Sequence, residues 1–349
     1  MNRHAACALY LSFLTLPVLA QTAAPSAEPG AAPAAAAAVA EPVAVPEAAP
    51  ATVVVEGRRP GPGVWKVSKD GHVMWVFGTY SPLPQKMEWD SSRVERLVIH
   101  SQEVLMPPAA SGHVGFFRGL TLLPSLIGIK KNPDGATLHD LLPADTYARW
   151  SVLKTKYIGD DDGIERERPI FASDELMTAG LKKNGLDSGG TVLGTIEGIA
   201  KKNNVKLSQT GYEMDIDDPR KLVKDFKKSQ IDDVACFTKT LDSLENDIDT
   251  MRVRANAWAN GNIAEIKSLN YTEREDACKH AVQNSSFAKD APAFQQMRER
   301  LRASWLKAAE KALADNTSTF AILQIKDALD PKGLLAELQA RGYTVESPK

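Results

Sequence analysis

Metal-dependent or nucleophilic chemistry needs particular side chains at particular spacings, and this chain offers few of them. Apart from His4 it carries His72, His100, His113, His139 and His280. None stands at ligand spacing from another, so no imidazole pair is set up to hold a divalent cation. A lone histidine is most simply a surface or satisfied core residue, and His72, in a turn sequence, is expected to be exposed. H-E-x-x-H, C-x-x-C, G-x-S-x-G and the phosphate-cradling glycine loop are missing from the sequence. The acidic run Met214–Pro219 (MDIDDP) lacks the glycine that bends a calcium loop. It reads instead as an acidic cluster at the start of a helix that includes Lys221. Besides Cys7 there are two cysteines, Cys236 and Cys278. In an oxidising compartment an even pair points to a disulfide, with two buried helical thiols as the other reading.

Whatever site exists must be positioned by the stretch Val64–Pro84, VWKVSKDGHVMWVFGTYSPLP. Val64–Ser68 and Val73–Phe77 are apolar runs joined by Lys69-Asp70-Gly71-His72, and Asp-Gly supplies the positive φ of a tight hairpin turn. Val73, Trp75 and Phe77 share one face of the second run, and Met74 and Val76 share the other. Both faces are apolar, so the run is expected to be an inner strand of a covered sheet. It leads into Gly78-Thr79-Tyr80-Ser81, and a small polar loop after a buried strand is a common place for a site in an α/β fold.

The rest of the chain supplies context. Forty-two Lys and Arg against 44 Asp and Glu leave a net charge of −2, without the basic excess that nucleic-acid binding requires. Residues 1–20 read as a secretory signal peptide, with Arg3 and His4 before an apolar run that ends Val18-Leu19-Ala20; the run is too short for a membrane anchor. Residues 21–51 are almost all Ala, Pro, Glu and Val and read as a disordered linker. The folded part, 52–349, begins with a possible edge strand at Val53–Val55. Helical periodicity is expected after Asp90-Ser91-Ser92, over Thr137–Tyr157 (Leu138, Leu141, Leu142, Tyr147, Trp150 and Leu153 as the stripe), and over Ser173–Leu181, Thr191–Ala200, much of Lys221–Leu269, and Phe294–Ala314. Short strands are expected at Glu103–Met106, Val205–Leu207, Thr319–Ile325 and Tyr343–Val345. Gly112–Ile129 is read as helices covering the sheet rather than a membrane contact, and Glu165–Pro169 (ERERP) as a solvated loop. Trp258 is read as core. Alternating strands and helices predict an α/β (α+β) fold, a mixed central sheet with helices on both faces.

Several pieces in order resemble the TraB/GumN (Tiki-like) family. They are Val64–Pro84, Leu138–Leu142, Ala257-Trp258-Ala259-Asn260-Gly261, and the end TFAILQIKDALDPKGLLAELQARGYTVE, together spanning roughly Gly63–Glu346. The resemblance implies an α/β fold and, in proteolytic members, a metal site of two Gly-x-x-His motifs with a glutamate at the end of a core strand. This chain departs from each element. Ser81 stands where the first histidine would be, Pro107 follows the strand about where the glutamate falls, the mid-chain segment reads Leu207-Ser208-Gln209-Thr210, and the last motif reads Gln324-Ile325-Lys326-Asp327.

Hydroxyl and amide groups are poor ligands for divalent transition metals, which leaves Asp327 as the one good donor type. We therefore expect an exported, periplasmic or secreted, non-catalytic protein with no metal and no cofactor. Its degenerate cleft, formed by Gly78, Thr79, Tyr80, Ser81, Gln209, Gln324 and Asp327, would bind an unknown ligand or envelope protein. No nucleic-acid partner and no membrane-spanning segment in the mature chain are expected. The alternative is a hydrolase with a rebuilt site, metal-dependent or using Ser81 as nucleophile with Lys326 or Asp327 as partner. An envelope scaffold without a pocket is a third reading.

Overall fold

The hairpin forms where its turn chemistry places it. In the computed structural model β1 (Val64–Lys69) and β2 (His72–Thr79) pair antiparallel from Val64↔Phe77 to Lys69↔His72. Asp70 and Gly71 both take positive φ, 51° and 86°, the geometry of a two-residue turn that matches strand twist. The described residues are 61–113, 122–187, 190–216, 218–269, 274–289, 294 and 296–348. The expected signal peptide, linker and Val53–Val55 strand lie outside them.

The central sheet has six strands. β2 runs parallel to β9 (Ser318–Gln324) in a register that sets Thr79 beside Gln324. β9 runs parallel to β4 (Glu103–Leu105), and β4 parallel to β7 (Lys206–Ser208). β10 (Thr344–Glu346) closes the other side, antiparallel to β1, giving the order β10-β1-β2-β9-β4-β7. Val76 and Phe77 point to opposite faces of β2 and both are fully buried, so the sheet is covered on both sides as its sequence requires. The cover comes from apolar helix stripes: Val94 and Val98 of helix Ser92–Ile99, Val192 and Ile196 of helix Gly190–Lys202, and Trp305, Leu306 and Ala309 of helix Met297–Asp315. Two small pairs stand apart from this sheet: β3 (Leu83–Pro84) with β6 (Leu186–Asp187), and β5 (Ala110–His113) with β8 (Tyr212–Asp215).

A second apolar cluster gathers Leu138, Trp150, Leu176, Phe237 and Leu241 from helices Leu138–Leu141, Ala144–Tyr157, Pro169–Lys183 and Val234–Asn246. Helix Val234–Asn246 is tied to helix Arg274–Gln283 through Cys236 and Cys278, whose sulfurs are at bonding distance with Cα atoms 4.5 Å apart. The bridge spans 42 positions, and restricting the unfolded chain over such a loop is worth about 4 kcal/mol. Replacing both cysteines with alanine is thus expected to lower the urea midpoint and to steepen the slope, because the released unfolded chain exposes more surface. Unchanged stability, or two labelled thiols in unfolded, unreduced protein, would refute the pairing.

Four sequence expectations are corrected. The Thr137–Tyr157 stripe is two helices, because Pro143 heads the second one, and Leu141 is left exposed. His72 is half-buried in β2, not exposed, and its Nδ1 lies 2.7 Å from the Asn316 carbonyl oxygen. Within Gly112–Ile129 the chain first completes β5, and residues 114–121 lie outside the described ones. The short helix 122–126 and the turn after it then expose Leu123, Leu126 and Ile127 instead of covering the sheet. The ERERP segment is not a solvated loop. Its Arg168 is 3 % exposed and donates to four backbone carbonyls, those of Lys131, Ser229, Phe226 and Lys227. The acidic run is only partly as read: Met214 and Asp215 end strand β8, while the Asp218 carboxylate accepts from the Lys221 N–H and caps helix Pro219–Lys228.

Candidate functional site

Four parallel strands with a common direction bring their carboxyl ends to one edge of the sheet, where α/β folds place ligands. At that edge β2 leaves through Gly78-Thr79-Tyr80-Ser81, β9 leaves through Gln324, and helix Ile325–Leu329 starts at once, so Lys326 and Asp327 sit in its first turn. Gly78 is the hinge of this arrangement. A Cβ there would lie 2.9 Å from the Trp65 ring and 3.1–3.3 Å from Ile325, so only glycine lets the helix close over the strand. The Gly78 carbonyl accepts from Trp258 Nε1 at 2.7 Å, which joins the Ala257–Gly261 segment to the loop. Thr79 Oγ1 donates to the Leu323 carbonyl at 3.1 Å.

The sequence-derived site residues divide into groups. Thr79 and Gln324 lie side by side across the β2–β9 pair; Ser81, exposed like Gln324, follows two positions after Thr79, and half-buried Asp327 three positions after Gln324. Tyr80 does not line a cleft; it is 6 % exposed and belongs to the core. Gln209 is exposed just beyond β7, three strands from β2. At the usual strand spacing that is roughly 14 Å away. Its neighbour Thr210 is buried and donates to the Met106 carbonyl at 2.7 Å, holding the β4 and β7 exits together. Glu103, the one carboxylate within β4, sits at the opposite, amino end. Burial acts to raise its carboxyl, but hydrogen bonds from Lys206, Ser208 and Asn316 hold it below the usual range.

Asp327 carries the most unusual electrostatics at this edge. Burial pushes its carboxyl above the ordinary range; Lys326, Lys279 and Arg298 act against that and Asp330 adds to it. Lys326 pairs with Glu275, and Lys279 pairs with the same Glu275 at 3.8 Å. Sequence reasoning missed Glu275, Lys279 and Arg298. They lie tens of residues from Asp327 on two other helices, and a charged helical residue carries no mark of where its face will dock. Arg298 also lines an open groove of about 420 Å³ with Gln283, Asn284, Glu299 and Arg302.

This donor set does not fit a divalent transition metal. The edge residues named from the sequence offer hydroxyls, an amide and one carboxylate, and hydroxyl and amide groups are poor ligands for such an ion. Among the described residues no three His, Cys, Asp or Glu side chains come close enough to hold a metal ion. No described helix is long and apolar enough to cross a membrane. Compared with known sequences, residues 63–347 match the family model described as the TraB/PrgY/gumN family. No match was found among curated proteins or solved structures.

Proposed function

The chain belongs to the TraB/PrgY/gumN family, and from that premise we propose that it is an exported, non-catalytic member that binds a ligand or an envelope partner at the carboxyl edge of its sheet. One observation carries this reading. The chain matches the family over residues 63–347 and packs Gly78 against Ile325 with Trp258 bonded to the Gly78 carbonyl, while the side chains named at the edge are Thr79, Ser81, Gln324 and Asp327. A scaffold retained with ligand-poor chemistry is what a fold used for recognition would show. The ligand would meet hydroxyl and amide groups and a carboxyl. The hydrolase alternative needs a free base next to Ser81, and Lys326 instead engages Glu275.

Elemental analysis after dialysis against manganese, cobalt or zinc tests the reading. The expected result is no stoichiometric metal and no metal-dependent peptidase activity. About one metal per chain, lost on Asp327→Ala, would overturn it. Export is tested separately by the mass of the native N-terminus: a chain beginning at Gln21 is expected, and a retained Met1 would rule out cleavage.

A further inference from the structure

The exposed apolar turn in 122–129 has no place in the reading above. Leu123, Leu126 and Ile127 stand at i, i+3 and i+4, so they share one side of the chain. Their exposures are 59 %, 38 % and 78 %. Three large apolar side chains exposed together mark a contact surface more often than chance.

What surrounds them is basic. Lys130 and Lys131 follow directly, and the Lys227 ammonium donates to the Ile127 carbonyl at 2.6 Å, which brings the end of helix Pro219–Lys228 against the turn. On that helix Arg220, Lys221, Lys224, Lys227 and Lys228 fall on one arc, with Leu222, Val223 and Phe226 on the other side and Val223 buried. Lys131, Lys224 and Lys228 are exposed and make no ion pair among the described residues, although Glu167 bridges Lys131 through the backbone and feels its charge. Acid groups do reach this region: Lys130 is within 4.0 Å of Glu167 and 3.7 Å of Glu175, and Lys221 pairs with Asp225. Those two lysines are discounted.

Buried Arg168 makes the two pieces one unit. Its backbone N–H bonds to the Lys130 carbonyl, its Nε to that of Lys131, and its terminal nitrogens to the carbonyls of Phe226, Lys227 and Ser229. The apolar turn and the basic helix end are therefore held in register.

We propose that Leu123, Leu126 and Ile127, with Lys131, Lys224 and Lys228 around them, dock the protein onto the surface of an anionic phospholipid bilayer. Apolar side chains enter the acyl boundary while lysines meet the headgroups, the pairing that peripheral membrane contacts use. The charge complement selects this occupant: a second copy of this chain would bring the same lysines against themselves.

Sedimentation of the full chain with vesicles tests this. Binding is expected to mixed phosphatidylglycerol–phosphatidylcholine vesicles, weakened by salt, and much less to phosphatidylcholine alone. Lys224→Ala with Lys228→Ala should weaken binding about 25-fold, at about fivefold per lysine. Ile127→Glu should weaken it by about tenfold or more. All three sites are exposed, and circular dichroism checks that the variants fold; the lysine pair stands alone if Ile127→Glu does not. Equal binding to neutral vesicles, or variants that bind like the parent, would overturn the proposal. So would a dimer that Ile127→Glu dissociates without any vesicle binding, which would assign the face to a second copy.

Discussion

Arg168→Ala is expected to lower the unfolding free energy by about 3–5 kcal/mol, among the largest losses available to a single substitution here. The guanidinium sits under 3 % exposure and donates to the carbonyls of Ser229, Phe226, Lys227 and Lys131 at 3.0, 3.0, 2.8 and 3.3 Å. It also lies over the Phe226 ring, 5.0 Å from its centroid. Three of those carbonyls belong to the end of helix Pro219–Lys228, where carbonyls lack intrahelical partners. Alanine removes these donors; the Phe226 carbonyl keeps the Ser229 N–H and hydroxyl, so the loss falls on the carbonyls of Lys227 and Ser229, at about 1–3 kcal/mol each. Lysine is expected to rescue little, because a single ammonium cannot reach this fan of acceptors.

A pH signature separates this account from a simple packing loss. Burial pushes the Asp233 carboxyl up to about 6, with the Ile170 N–H and Arg168 acting against it. The folded state therefore binds this proton more tightly than the unfolded chain, whose aspartate titrates near 3.9. Stability from this group falls as pH rises from about 4 through about 6. Without Arg168 the charged carboxylate loses a counter-charge and its pKa rises further. The deficit of Arg168→Ala should thus be smaller near pH 5, where Asp233 is protonated, than near pH 8. Urea unfolding at both values checks this. A loss below about 1 kcal/mol, or one independent of pH, would contradict the role assigned to Arg168.

Trp258→Ala is expected to cost about 3–5 kcal/mol, the usual range for a fully buried tryptophan. Its ring has no exposed surface and packs on Phe77 and Trp89 at 6.1 and 5.7 Å between centroids. Trp258→Phe keeps most of that area but removes the donor to the Gly78 carbonyl, so it should cost less, about 1–3 kcal/mol. The Phe variant is the informative one. If the bond holds the β2 exit in place, the amide signals of Gly78, Thr79 and Tyr80 should shift while distant strands stay put. An unchanged β2 exit in a stable Phe variant would show that Trp258 acts as core alone.

Local rules carried much of the fold. Asp70-Gly71 determined the hairpin because few residue pairs accept positive φ twice, and the two apolar faces of Val73–Phe77 placed β2 inside the sheet before any partner was known. Counting cysteines was enough to suggest Cys236 with Cys278. Order of motifs identified the family without a single decisive piece.

Tertiary structure decided the rest, wherever an answer depends on which distant surface a residue meets. Arg168 read as solvated because charge predicts exposure, and its acceptors lie about 60 positions away at a helix end that no periodicity reveals. Leu123, Leu126 and Ile127 read as cover for the sheet because a pattern shows which side is apolar but not what covers it. Tyr80 and Ser81 are neighbours, yet one is core and the other exposed, since a strand exit turns one side chain in and the next out. Asp327 was legible as the one good ligand type at the edge. Its surround of Lys279 and Arg298 was not, because electrostatics act through space and the chain order of those residues bears no relation to their distance.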